Sequence, residues 1–212
     1  MNRSEIIVTG GNEITLLPIY QTNIIIDTDP GHDDALAIML IIKSGLFNVL
    51  AVTSVAGNST IKNVTRNAAY ILDLLKRRDI PIFSGKENPL KGNLIQADVH
   101  GSTGLDGVDT SKAQFENNHD APKRIADLVN GYSGNITLLT LGPLSNIARA
   151  FQKDAPLSSK INKIIIMGGA IDLPGNKNRV AEFNFFVDPE AADIVFRTKV
   201  KKILVISYIL IL

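Results

Sequence analysis

The chain has 212 residues, 45% hydrophobic and 20% charged, which suits one globular domain with a substantial core, here taken as residues 1–212. Its 22 basic and 21 acidic side chains leave a net charge of +1 with no large basic cluster, so neither nucleic acid nor an anionic membrane is an expected partner. With no cysteine, disulfides and thiolate metal sites are excluded, and any metal must be held by oxygen or by the three histidines.

The first 20 residues show no continuous apolar stretch and no clear cleavage site, so a cytoplasmic location is expected. Ile24 to Ile26 reads as a strand, followed by a helix over Ala35 to Lys43 that ends at Gly45, where a left-handed cap is expected. Val49 to Val55 is the next strand. Val64, Ala68, Ile71, Leu72 and Leu75 then share one helical face, and Ile80 to Phe83 is a short strand. Residues 85–119 are rich in Gly, Asn and Asp, with little periodicity. Alternation resumes with a helix over Pro122 to Val129 and a strand over Ile136 to Leu141. A helix with Leu144, Ile147, Ala148 and Phe151 on one stripe follows, then a strand over Ile164 to Met167. The last elements are a helix over Pro189 to Phe196 and a strand from Ile203 onward. The final ten residues, "ILVISYILIL", are apolar but shorter than the ~20 residues that a membrane-spanning helix needs. The strands are apolar on both faces and separated by helices. The fold class is therefore α/β, a mostly parallel central sheet with helices on both faces.

In such sheets ligands bind at the carboxyl ends of the strands. Four polar clusters fall there: Asp27 to Asp34, Gly57-Asn58, "LGPLSN" and "MGGAIDLPGNKNRVAEFN". The first, within "IIIDTDPGHDDALAIML", crowds Asp27, Asp29, Asp33 and Asp34 between two apolar stretches. A helix N-terminus tolerates negative charge at a gain of several tenths of a kcal/mol per carboxylate, which offsets little of the mutual repulsion. A divalent cation removes it, and an all-oxygen donor set points to Ca²⁺ or Mg²⁺. Helix capping explains Asp33 or Asp34 but neither strand aspartate. A phosphatase-type D-x-D loop fits poorly, because Pro-Gly and an Asp pair follow the second Asp.

"DTDPGHDDALAI" resembles the N-terminal signature of the inosine/uridine-type nucleoside hydrolases. "VAGN" at 55–58, "HGSTGLDG" at 100–107, "LGPLSNIA" at 141–148, "MGGA" at 167–170 and "AEFNFFVDPEAA" at 181–192 follow in that family's order. The resemblance implies an N-glycosidase that hydrolyses a small-molecule ribonucleoside to ribose and free base with Ca²⁺ as cofactor. It implies Asp29 as metal ligand and base toward water, Asp34 as metal ligand, and Leu141 as ligand through its backbone carbonyl. Asp33 and Asn58 would bind the ribose hydroxyls, and Asn176, Glu182 and Asn184 the 5′ and 3′ side of the sugar. Asp27 would support the turn and the ligands from outside them. The loop with His100 would lie near the base, in a supporting role. Oligomeric assembly is implied without a subunit count.

Simpler readings stand beside these: Asn58 ending a strand in a turn, Glu182 and Asn184 alternating on an exposed extended segment, and Gly168-Gly169 serving only close packing. His32 is assigned nothing. Family members carry a further Asp, and in many an adjacent His, after the strand near Ile203. "KKILVISYILIL" has neither, so the chain reads as truncated at its C-terminus, and hydrolysis by this chain is expected to be weak or absent.

Overall fold

The computed structural model describes residues 5–10, 13–18, 21–116, 118–172 and 174–205; for 5–18 the backbone alone is described. The continuation of the last strand past Val205, expected from the apolar tail, lies outside the described residues.

Two strands near the N-terminus, β1 (Glu5–Gly10) and β2 (Glu13–Pro18), pair antiparallel as a ribbon apart from the main sheet, an element the sequence reading does not contain. The main sheet has six strands: β3 (Thr22–Thr28), β4 (Phe47–Ser54), β5 (Ile82–Ser84), β6 (Ile136–Thr140), β7 (Lys163–Met167) and β8 (Lys202–Val205). Their order is β5-β4-β3-β6-β7-β8 and every pairing is parallel. The order reverses between β3 and β6. At such a switch point neighbouring loops leave in opposite directions and open a crevice at the carboxyl ends.

The helices are α1 (His32–Ser44), α2 (Ile61–Leu74), α3 (Ala121–Gly131), α4 (Ser145–Lys153), a short α5 (Phe183–Val187) and α6 (Pro189–Arg197), with a 3₁₀ turn over Ala155–Lys160. Alternation along β3 sends Ile25 to one face, where it meets Ile125, Val129, Ile147, Phe151 and Val195 of α3, α4 and α6. Ile24 and Ile26 point the other way, onto Ala35 and Ile38 of α1 and Ala68 and Ile71 of α2. Burying each such Ile contributes about 1.5–3 kcal/mol relative to exposure, and Ile71→Ala, in a site with no exposure, costs about 2–5 kcal/mol.

Several boundaries move outward from the expected ones because capping extends the helices. Thr60 Oγ1 accepts from the Asn63 amide at the start of α2, and the left-handed Gly45 ends α1. Leu141 falls one residue past the end of β6, and Asp29 one residue past β3. Helix α5 replaces the extended, exposed segment of the simpler reading: Glu182 caps it through its side chain, and Glu182 and Asn184 are only 3% and 6% exposed. On the face opposite Ile164 and Ile166, β8 leaves Ile203 and Val205 at 40% and 48% exposure. The irregular segment before α3 is pinned by the buried Asp188, which accepts from Leu90 N at 2.8 Å and Ser145 Oγ at 2.6 Å and caps Ala191 at 3.0 Å.

Candidate active site

The carboxyl ends of β3, β4 and β6 converge. Leu141 N donates to Asp27 O at 2.8 Å and Val55 N to Thr28 O at 3.0 Å, so the loops after all three strands start side by side. Four carboxylates of the first loop end in different environments, because strand alternation and the Pro30-Gly31 turn aim them differently.

Asp27 is the deepest, 1% exposed, and Oδ1 accepts from Thr53 Oγ1 at 2.5 Å and Asn146 Nδ2 at 2.8 Å. Its Oδ2 is buried without a partner. Burial pushes its pKa up to about 7, and the two hydrogen bonds hold it back only in part.

Asp29 is equally buried. Its Oδ2 accepts from Asn58 N at 2.7 Å, while Oδ1 has no partner. Burial, then the Asp34 charge, pushes its pKa well above the usual carboxylate value. Two glycines make the space: a Cβ at Gly57 would run into Asp29 Oδ2, and one at Gly142 into Oδ1.

Asp34, in the first turn of α1, accepts from Thr28 Oγ1 at 2.6 Å and Gly31 N at 3.2 Å. Burial and then Asp33 push its pKa up to about 7. Asn58 spans the pair, its Nδ2 donating to Asp29 O at 2.9 Å and to Asp34 Oδ2 at 3.5 Å. Asp33 points outward, its Oδ1 3.6 Å from His100 Nε2.

These residues open on a pocket of about 420 Å³. Asp33, Asp34, Asn58, Leu141, Asn176, Glu182 and Asn184 all line it. Asp29 and Asp27 are not on its wall; they stand behind Asn58 and Asp34. On the far side, Glu182 accepts from Asn184 N at 2.9 Å, Gly169 N at 3.0 Å and Phe185 N at 3.2 Å. Gly168-Gly169, with φ of 149° and 80°, therefore does more than pack: it delivers an amide to Glu182 where a Cβ on Gly168 would crowd Oε2. Burial raises the Glu182 pKa, and the backbone donors oppose that rise. Asn176 Oδ1 accepts from Phe183 N at 2.6 Å. Asn184 Nδ2 donates to Leu141 O at 2.8 Å and to Met167 O at 3.2 Å, so the sugar-side arm is tied to the β6 and β7 loops.

The sequence reading understated the histidines. His100 lines the pocket, and burial lowers its pKa. His32, assigned nothing, sits behind it: His32 Nε2 is 3.0 Å from Asp106 O, and the two Nδ1 atoms are 3.1 Å apart. A nitrogen facing a carbonyl must carry the proton. His32 Nδ1 then accepts from His100 Nδ1, which leaves His100 Nε2, 3.6 Å from Asp33 Oδ1, as the nitrogen that gains or loses a proton with the charge of His100. The third histidine, His119, bonds Ser84 Oγ at 3.0 Å, away from the pocket. Thr28 was also missed; its signal is the hydroxyl between two aspartates in "DTD".

A hard cation fits this set. Asp29 Oδ1 is an unpartnered buried carboxylate oxygen, and Asp29, Asp34 and the Leu141 carbonyl are all oxygen donors. Among the described residues no cluster of three His, Cys, Asp or Glu side chains stands ready for a metal, so carbonyls, water and substrate oxygens would complete the shell. The Leu141 carbonyl already accepts from Asn184 and has its second lone pair to offer.

A buried carboxylate cluster at the switch point of this sheet, faced by an Asn/Glu arm, agrees with a match over residues 24–209 to the model of a family described as inosine-uridine preferring nucleoside hydrolase. The chain belongs to that family. The match runs beyond Ile203, where the recognisable motifs stop, to residue 209. The chain is 46% identical over 177 residues to a pyrimidine-specific ribonucleoside hydrolase, RihA, of Escherichia coli O1:K1, covering 82% of this chain and 57% of the relative. Among solved structures of nucleoside hydrolases, a plant enzyme, PpNRh1, superposes with a TM-score of 0.83 at 39% identity, over 88% of this chain and 60% of that one. An inosine-guanosine nucleoside hydrolase superposes at 0.81 with 34% identity, over 89% and 60%. The chain thus spans somewhat under two thirds of the length of these nucleoside hydrolases. The family match runs from within β3 to beyond the end of β8.

Proposed function

We propose that the pocket is a nucleoside site at which the N-glycosidic bond of a ribonucleoside is hydrolysed to ribose and free base, within a single domain of residues 1–212. One observation carries this reading: Asp34 lines, and Asp29 with an unpartnered oxygen stands behind, a pocket whose other wall is the Asn176–Glu182–Asn184 arm. Asp29, Asp34 and the Leu141 carbonyl would hold Ca²⁺, which when bound keeps both carboxylates ionised and acidifies a neighbouring water. Ionised Asp29 takes a proton from the attacking water. The water oxygen bonds to C1′ as the C1′–N bond breaks, and the base leaves with the electron pair and takes a proton from solvent water. Positive charge building on the ribose faces the carboxylates and amide oxygens lining the pocket. Asp33 and Asn58 read the ribose hydroxyls, and the Asn176–Glu182–Asn184 arm reads the rest of the sugar. Asp27 braces the turn from beneath.

A second reading, a nucleoside or ribose binder that turns over little, has its own support. Without a cation, burial and then the Asp34 charge hold the Asp29 pKa well above the usual carboxylate value, so its proton is harder to lose, and a protonated carboxyl binds hydroxyls but accepts no proton. The deciding experiment follows release of base from uridine and inosine with calcium and with chelator, alongside equilibrium dialysis. Calcium-dependent release, lost in Asp29→Asn, supports the hydrolase. Saturable binding with no release under either condition supports the binder, and neither binding nor release removes both.

A further inference from the structure

Helix α2 carries an apolar stripe onto the sheet, yet its most buried polar residue, Asn67, has no exposure at all. A buried amide needs partners, and Asn67 has three. Nδ2 donates to Pro30 O at 3.1 Å and to Thr103 O at 3.0 Å, and Oδ1 accepts from Thr110 Oγ1 at 3.3 Å. Pro30 belongs to the turn between Asp29 and α1, and Thr103 and Thr110 to the irregular segment whose residues 97–100 line the pocket. One side chain thus ties the two walls of the site, which also meet through His32 on Asp106 O and on His100.

Two more polar residues precede Asn67 at spacings of four. Ser59 Oγ donates to Ser102 O at 3.0 Å, and Asn63 Nδ2 donates to Ser59 Oγ at 3.0 Å and Ser102 O at 3.4 Å. The loop lies so close that a Cβ on Gly104, at φ 79°, would sit 3.0 Å from Ser59 Cβ and 3.4 Å from Asn67 Nδ2. Ser59, Asn63 and Asn67 form a ladder along one edge of α2. Only Asn67 also reaches the acidic turn.

We infer that Asn67 is a positioning residue that fixes the 97–110 wall of the pocket in register with the Asp29–Asp34 turn. The turn has further supports of its own: Gly31 N to Asp34, Asn58 to Asp29 O, and Ala35 N to Gly31 O at 3.0 Å. The loop has His32 on Asp106 O and His100 Nδ1 as its other tie to the turn, and the ladder for the rest. Losing Asn67 therefore loosens the loop wall and leaves the carboxylate side largely in place. Since the carboxylates and the Asn176–Glu182–Asn184 arm take the sugar, the 97–100 wall remains for the base. For that assignment of base and sugar the inference rests on the function proposed above. The ladder itself does not.

The test uses the chain with Asn67→Leu, which keeps the branching at Cγ and removes all three bonds, and with Thr110→Val, which removes one bond and preserves shape. Amide hydrogen exchange is read on 97–110, with the strand segments 22–28 and 136–140 as internal controls. The expected result is a tenfold or greater rise in loop exchange in Asn67→Leu, a smaller rise in Thr110→Val, and strands within twofold of wild type. With calcium present, affinity for uridine and inosine falls about tenfold in Asn67→Leu, while affinity for D-ribose stays within twofold. Unchanged loop exchange in both variants overturns the inference, as does an equal loss of ribose and nucleoside affinity. If Asn67→Leu also frees the strands, Thr110→Val alone decides by the same loop readout. If the wild type binds neither ribose nor nucleoside, the proposed function fails, while the exchange result still judges Asn67.

Discussion

Two buried carboxylates flank the pocket from opposite sides, Glu182 on its wall and Asp29 behind Asn58 and Asp34, with opposite provisioning. Glu182 has three backbone amides on its oxygens and caps a helix, so its negative charge is matched by fixed donors. Asp29 has one amide on one oxygen, none on the other, and Asp34 beside it. A satisfied carboxylate is a scaffold and a hydrogen-bond acceptor. One left short of donors in a dry place is held ready for a charge or a proton that the folded chain does not itself supply.

The largest effect separating the two is on turnover. Asp29→Asn is expected to cut base release by ~10²–10⁴-fold, the range of a lost general base. Glu182→Gln is expected to act mainly through KM, because it weakens sugar contacts and takes no proton. Steady-state kinetics on uridine decides, and comparable losses of kcat in both variants would break the contrast.

Next comes cation-linked stability. At about 100 times its Kd, a cation binding only the folded chain adds about 2.7 kcal/mol. Thermal melts in calcium against chelator should show that gain in the wild type and in Glu182→Gln, and little of it in Asp29→Asn or Asp34→Asn. Equal calcium stabilisation in all four proteins would place the cation elsewhere.

The pH dependence has a definite sign. Asp27 and Asp34 titrate near 7 in the fold against a reference of 3.8, so between those values the folded chain binds more protons than the unfolded one. Their contribution to stability is fully present below about pH 4 and is lost as pH rises through about 7, with a limiting slope of about 1.4 kcal/mol per pH unit for each group. Urea midpoints from pH 4 to 8 in chelator should fall with pH, and Asp27→Asn should flatten that fall relative to the wild type. A steeper fall in Asp27→Asn contradicts the assignment.

A further effect of about 1–3 kcal/mol tests the ribose contacts of Asp33 and Asn58. Inosine should bind more tightly than 2′-deoxyinosine by that amount, because the missing hydroxyl leaves buried polar groups unpaired. Equal affinities by titration would remove those two residues from the sugar site.

The strand and helix types of the α/β core, and the crowding of aspartates after the first strand of the sheet, were legible in the sequence. Both are local: apolar runs, helical spacing and turn residues act within a few positions. So was the place of the polar clusters at strand ends. The N-terminal ribbon and α5 were not, since neither carries a long periodic pattern, and α5 depends on Glu182 folding back as its cap.

The sequence by itself therefore determined the element types, the oxygen-only donor set and the membership of the acidic cluster. Tertiary structure alone decided that β3 sits between β4 and β6, that Asp27 meets an asparagine 119 positions away, and that Asn67 joins the turn to the loop. It also decided which carboxylate was left without donors. The reason is physical: periodicity sets which face of an element is apolar, but burial and hydrogen-bond supply depend on which distant segments the sheet order brings alongside.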